Sequence, residues 1–206
     1  PLHVYDVAKL SGNLKARLGK GETFLALDGK EYTADETMTV IADDTRVLGF
    51  GGIMGGEESG STEATVDVFI ESAYFDPNRT AATGRKTGIV SDARYRFERG
   101  IDPASTLDGA DRAAAMIVEL CGGAVSDRVV AGSVPDTREA IVFDPARVEK
   151  LTGLTLNPAE IQKILKDLGF GVRDSGKGLL SVLAPTWRPD VFGSADLVEE
   201  VVRIHG

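Results

Sequence analysis

A short aperiodic stretch, Ala131–Thr137, does most to limit what this chain can fold into, because the patterns on its two sides differ in kind. It holds Gly, Ser, Pro and Asp without an apolar period, the composition of a connector. We take it as the boundary between residues 1–132 and residues 138–206. Before it the chain reads as mixed strands and helices. Thr23–Leu27 and Lys30–Thr33 flank Asp28-Gly29, a hairpin signal, and Asp43-Asp44-Thr45 separates Thr37–Ala42 from Val47–Phe50. Val66, Val68 and Ile70 alternate with Asp67, Phe69 and Glu71, the period of a strand with two different faces. Asp76-Pro77 opens a helix, with Asp as cap and Pro in the first turn. A longer helix runs from about Pro103 to Cys121 and stops at Gly122-Gly123.

After the boundary, Asp144-Pro145 caps a short helix that ends at Gly153. Asn157-Pro158-Ala159-Glu160 resembles a capping box, and Ile161, Ile164, Leu165 and Leu168 follow at helical spacing up to Gly169. Phe170–Arg173 and Leu179–Ala184 form a hairpin around Asp174–Gly178. Ser194 caps a last helix with Leu197, Val201 and Ile204 on its stripe. The fold class is therefore α+β: a mixed-sheet module followed by a small winged-helix-like helical module with a hairpin.

Composition removes several function classes. No run approaches the ~18 apolar residues of a membrane span, and Pro1-Leu2-His3 is neither a signal nor a transit peptide. Without an initiating Met, the chain reads as a piece of a longer one. Cys121 is the single cysteine, which leaves no internal disulfide and no Cys-rich zinc site; its apolar surroundings read as those of a packed core thiol, and the whole fits a cytoplasmic protein. His3 and His205 stand at opposite ends. The net charge of −9 argues against a surface that tracks a phosphate backbone throughout. Arg79, Arg85, Lys86, Arg94, Arg96 and Arg99 nevertheless cluster, either as cations paired with acids or as a seat for a nucleic-acid end.

Three motifs carry candidate chemistry. Gly49–Gly56 is glycine-rich but lacks the Lys-Ser/Thr ending of a P-loop, so its glycines serve either tight packing or close approach of a ligand to backbone N–H groups. Glu71 is either a solvated carboxylate or the rim of a pocket shared with Phe69. Trp187-Arg188-Pro189-Asp190 leads into Asp196, Glu199 and Glu200, one helical turn apart. These are either a solvated acidic face that suits the helix dipole or an all-oxygen site for Mg²⁺ or Ca²⁺.

Together these residues resemble the beta subunit of bacterial phenylalanine–tRNA ligase. The segments are Pro-Leu-His-Val-Tyr-Asp at the start, Gly-Ile-Met-Gly-Gly-Glu at 52–57 and Phe-Ile-Glu-Ser-Ala-Tyr-Phe-Asp-Pro at 69–77. Ser-Asp-Ala-Arg-Tyr-Arg-Phe-Glu-Arg-Gly-Ile-Asp-Pro at 91–103, Trp-Arg-Pro-Asp and Asp-Leu-Val-Glu-Glu-Val-Val-Arg-Ile follow in the same order. The resemblance implies an enzyme that joins phenylalanine to tRNA(Phe) with ATP, spent at a site outside this chain, in an α₂β₂ heterotetramer with an alpha subunit. Residues 1–132 would be the tRNA-editing module, which hydrolyses Tyr-tRNA(Phe) with a positioned water and releases L-tyrosine.

Carried over by position, the resemblance makes Glu71 the acceptor for the tyrosine hydroxyl. Gly55 and Ala93 would line the pocket, with His3 and Ser91 at the catalytic end, Ser91 standing where some relatives have Thr. Asp190, Asp196, Glu199 and Glu200 would hold Mg²⁺ in a site shared with the alpha subunit. Residues 138–206, nearly balanced in charge and without a basic recognition helix, point to a subunit contact and not to DNA. The alternatives are a non-catalytic RNA-binding module and a structural spacer.

Overall fold

The computed structural model describes residues 2–136 and 138–206; Pro1, which opens the first matched segment, and Thr137, the last residue of the expected connector, lie outside the described residues. The chain forms two compact units, Pro1–Val134 and Pro135–Gly206.

In the first unit the strands are β1 (His3–Asp6), β2 (Lys15–Leu18), β3 (Glu22–Leu25), β4 (Glu31–Ala34), β5 (Thr39–Ala42), β6 (Val47–Phe50), β7 (Met54–Gly55) and β8 (Val68–Glu71). Helices α1 (Pro77–Thr87), α2 (Asp92–Phe97) and α3 (Ser105–Cys121) follow. All pairings are antiparallel. β2-β5-β6-β7 make one sheet, while β3-β4 and β1-β8 are two-stranded ribbons. The hairpin of β3 and β4 turns at Gly29, whose φ of 76° suits a residue without Cβ. Asp28 fastens that turn by accepting from the Lys30 N–H and the Tyr32 hydroxyl.

The turn between β5 and β6 is held by Asp43, whose carboxylate accepts from the backbone N–H groups of Ser11, Thr45 and Arg46. Strand alternation buries β5 on both faces: Val40 and Ala42 enter a cluster with Phe24, Met38 and Phe50, and Ile41 joins Tyr5, Leu48, Phe75 and Phe97. Each such fully buried aliphatic side chain contributes roughly 1.5–3 kcal/mol.

α1 begins where expected, with the Asp76 carboxylate accepting from the Arg79 N–H and Pro77 in the first turn. α2 is too short to show a period and was not foreseen; Ser91 caps it. The strand expected from the alternation at 66–71 forms as β8 over Val68–Glu71, with Val66 and Phe69 exposed. One expectation fails here. Cys121 is exposed and not a packed thiol. The reason lies in α3, which meets the body through its first turn, where Ser72 Oγ donates to Thr106 O at 2.7 Å. Its last turns, with Met116 and Leu120, are left open among the described residues.

The second unit runs β9 (Ile141–Phe143), α4 (Ala146–Thr152), α5 (Pro158–Asp167), β10 (Gly171–Gly176), β11 (Leu179–Leu183) and α6 (Ser194–His205). The expected helix–helix–hairpin–helix order is present. β9 is added to it and completes a sheet of order β10-β11-β9. Phe143, Val148, Ile161, Leu165, Val182, Leu197 and Val201 form its core. Three details differ from the sequence reading. Asn157 caps α5 alone, accepting from the Ala159 N–H, and Glu160 instead lies 3.4 Å from His205. Gly193, not Ser194, is the cap residue of α6. Ile204 is half exposed and Val198 takes the buried place on the α6 stripe.

Candidate functional site

The ribbon of β1 and β8 builds the first candidate site. His3 pairs with Glu71 and Tyr5 with Phe69, so strand alternation sets all four side chains on one face. The Tyr5 ring meets the edge of His3 with centroids 4.4 Å apart, and its hydroxyl donates to Glu71 Oε2 at 2.6 Å. Tyr5 is buried and Glu71 partly so. Burial pushes Glu71 above the usual glutamate range, against the opposing pull of the Tyr5 hydrogen bond. Burial and then the Glu71 charge push the Tyr5 phenol far above its ordinary value. Among the described residues no donor reaches Glu71 Oε1.

His3 lies on the β7 backbone. A Cβ built on Gly55 would fall 2.3 Å from His3 Cε1, so only glycine lets the ring sit there. His3 Nε2 is sealed from solvent without a hydrogen-bond partner among the described residues, and burial lowers the pKa of the ring, which keeps it neutral. The glycine-rich loop resolves in favour of packing. Gly51 and Gly52 lie against the ring of Phe75, where a Cβ would approach to 2.5 and 2.8 Å, and Gly52 also faces Phe97 at 3.1 Å. The amides of Gly51, Ile53 and Gly56 already donate to Thr39 O, Phe50 O and Leu48 O, so those N–H groups are not bare donors for an oxyanion.

Ser91 and Ala93 sit at the start of α2. Ser91 Oγ donates to Ile53 O at 2.6 Å and accepts from the Arg94 N–H, which ties the glycine loop to α2. Ala93 packs against the cluster that holds Tyr5. The structure thus gathers His3 and Glu71 around Tyr5, sets Gly55 under the His3 ring, brings Ala93 in through shared packing, and connects Ser91 through Ile53. A separate groove of about 390 Å³ is lined by Leu2, Ser72, Ala73, Thr106 and Arg112 among others. It borders His3 and Glu71 along the chain, but neither lines it. Tyr5 escaped the sequence reading; its signal was the His-x-Tyr spacing, which puts two rings on one strand face.

The basic stretch divides. Arg94 is structural: its guanidinium packs on Gly84, donates to Ile89 O at 2.6 Å and pairs with Glu98 at 2.9 Å. Lys86 pairs with Asp35, and Arg99 pairs with Glu98 and stacks 3.7 Å over the Tyr95 ring. Arg79, Arg85 and Arg96 are exposed with no carboxylate partner among the described residues.

The four carboxylates expected to hold a metal do not converge. Arg188 takes Asp190 in a two-pronged pair at 2.8 and 2.7 Å and reaches Glu200 at 2.9 Å. Glu200 is buried and also accepts from Arg203 at 2.6 Å. Hydrogen bonding by Arg188 is the main influence holding both carboxyls below their usual ranges. Asp196 accepts from the N–H groups of Phe192 and Gly193 and closes the α6 N-terminus, while Glu199 faces solvent. The expected common face fails because Glu199 and Glu200 are successive residues, about 100° apart around the helix. Among the described residues no three potential ligands are grouped to hold a metal ion. The charge between Asp190 and Glu200 is a guanidinium, so the donor set as folded does not fit Mg²⁺.

Comparison with known proteins defines the class first. Residues 1–122 match the B3/4 domain and residues 141–206 the tRNA synthetase B5 domain. The particular relatives are beta subunits of phenylalanine–tRNA ligase. Those of Paramagnetospirillum magneticum and Cereibacter sphaeroides are 52% and 53% identical over 100% and 99% of this chain. The chain spans about a quarter of their length, 26% and 25%. An N-terminal fragment of the phenylalanyl-tRNA synthetase beta subunit from Pyrococcus horikoshii shares the fold, with a TM-score of 0.52 at 20% identity, over 100% of this chain and 59% of that one. The chain belongs to the B3/4 domain family, in the form that phenylalanine–tRNA ligase beta subunits carry.

Proposed function

We propose that the first unit proofreads for a phenylalanine–tRNA ligase, hydrolysing the ester that joins tyrosine to the terminal ribose of tRNA(Phe). The observation that carries this reading is Glu71, a partly buried carboxylate with one oxygen held by Tyr5 and the other without a donor among the described residues. A tyrosine hydroxyl would satisfy that oxygen. Phenylalanine would desolvate it with nothing in return, the kind of mismatch that rejects strongly. Ala93 leaves room for a ring, and Gly55 seats His3 at the ester end.

The chemistry is addition of water to the ester carbonyl, followed by cleavage of the carbonyl–ribose oxygen bond, with a proton passing to the departing ribose oxygen. Ser91 is no nucleophile, since its hydroxyl is bound to Ile53 O and no base among the described residues touches it. His3, held neutral, helps to position the ester end. Glu71 sets specificity and is not the general base. Arg79, Arg85 and Arg96 would receive the tRNA end.

The whole enzyme would join phenylalanine to tRNA(Phe) with ATP in an assembly with an alpha subunit, in the cytoplasm. The second unit would contact that subunit, a role supported by its exposed Trp187 and Phe192. No helix among the described residues is long and apolar enough to cross a membrane. The test is deacylation of Tyr-tRNA(Phe) and Phe-tRNA(Phe) by the chain and by Glu71→Ala. Release of tyrosine alone, lost in the variant, supports the reading. Retention of tRNA without release of either amino acid would instead establish a binding module.

A further inference from the structure

The hydroxyl of Tyr5 is more than packing requires. Its ring lies in the cluster of Ile41, Leu48, Phe75 and Phe97, where a phenylalanine would fill the same volume. The oxygen at its far end instead meets Glu71 Oε2 at 2.6 Å, the length of a charge-assisted O–H···O⁻ bond. Glu71 ends β8 directly opposite His3, so its backbone is fixed by strand pairing, but nothing besides Tyr5 holds its carboxylate among the described residues.

We propose that Tyr5 is a positioning residue for specificity: its hydroxyl locks Glu71 Oε2, which presents Oε1 as the one acceptor for an incoming phenol. The inference rests on the proofreading assignment of Glu71 and deepens it. Two phenols then share one carboxylate, one resident and one from the ligand. Because the resident phenol has already stopped rotation of the carboxylate, ligand binding does not bear that ordering cost. An apolar ring in place of tyrosine finds the same wall with Oε1 left unpaired.

The test is titration of the 206-residue chain with L-tyrosine and with L-phenylalanine, followed by amide NMR shifts, for the unaltered chain, Tyr5→Phe and Glu71→Gln. Tyr5→Phe keeps the ring and removes only the hydroxyl. The tyrosine-over-phenylalanine affinity ratio should fall about five-fold while phenylalanine affinity holds within about two-fold, the scale of one hydrogen bond. An unchanged ratio overturns the proposal, and an increased ratio does so by showing that Tyr5 competes with the ligand. Equal loss of both affinities also overturns it, since a merely structural role moves both together. The Glu71→Gln arm separates the two levels. If it keeps full selectivity, or if the unaltered chain binds neither amino acid, the reading of Glu71 falls and Tyr5 with it. If Glu71→Gln loses selectivity and Tyr5→Phe does not, only the role of Tyr5 falls.

Discussion

The imidazole of His3 rests on Gly55 so closely that a methyl group there would lie 2.3 Å from Cε1 and 2.6 Å from Nε2. Gly55→Ala should therefore displace the ring. The expected cost is about 1–3 kcal/mol, as for other overpacked sites. In the variant the His3 Hε1 resonance should move and tyrosine-induced shifts should weaken. A folded variant with an unmoved His3 resonance would contradict this packing.

Burial holds the Glu71 pKa above the ordinary glutamate range. The folded state therefore binds its proton more readily than the unfolded state, and ionised Glu71 opposes folding at pH 7. Two outcomes follow. Glu71→Gln should melt no lower than the unaltered chain at pH 7. Tyrosine selectivity, which needs the ionised acceptor, should fall on acidification at a pH above the ordinary glutamate range. Loss of selectivity only within that ordinary range would contradict the burial of Glu71.

Ser91 links α2 to the glycine loop through two hydrogen bonds, at 2.6 Å to Ile53 O and 3.1 Å from the Arg94 N–H. Ser91→Ala should cost about 1–2 kcal/mol in urea unfolding, the range of a lost helix cap. Ser91→Thr keeps the hydroxyl and should recover most of it.

Arg188 neutralises Glu200, which is 4% exposed. Arg188→Met should destabilise the second unit by about 2 kcal/mol, below the usual cost of an orphaned buried charge because Arg203 remains. Urea melts followed at Trp187 would measure it. Millimolar Mg²⁺ should leave the unaltered chain's midpoint where it is; a rise would show that the carboxylates rearrange to take the ion.

The arginines separate by assay. Arg79→Ala, Arg85→Ala and Arg96→Ala should each weaken tRNA binding and lower the salt slope by about 0.7–0.9 for each phosphate no longer neutralised, with stability unchanged. Arg94→Ala should destabilise by about 2 kcal/mol, because Ile89 O loses its side-chain donor and Glu98 Oε2 loses the Arg94 guanidinium, Arg99 remaining on Oε1.

Local chemistry was readable from the sequence alone. Asp28-Gly29 specifies its hairpin, Asp76-Pro77 its helix start, and Gly122 and Gly153 their helix ends, because each depends on backbone geometry within a few residues. The apolar spacing of Ile161, Ile164 and Leu165 likewise marks the buried face of α5. Short elements such as α2 and β9 carry too few residues to show a period.

Tertiary structure decided what residues far apart in sequence do to one another. Tyr5 and Glu71 are 66 positions apart and meet only because β1 pairs with β8 in one register. Arg94 and Arg96 look alike in the sequence, yet one is held by Ile89 and Glu98 and the other is exposed with no carboxylate partner among the described residues, because a helix turns successive side chains in different directions. The acidic run around α6 drew its partner from the preceding loop, where Arg188 stands between Asp190 and Glu200. The sequence determines which groups are available and which local turns they favour. Burial and pairing, which depend on the whole chain, determine which of those groups are left free to meet a ligand.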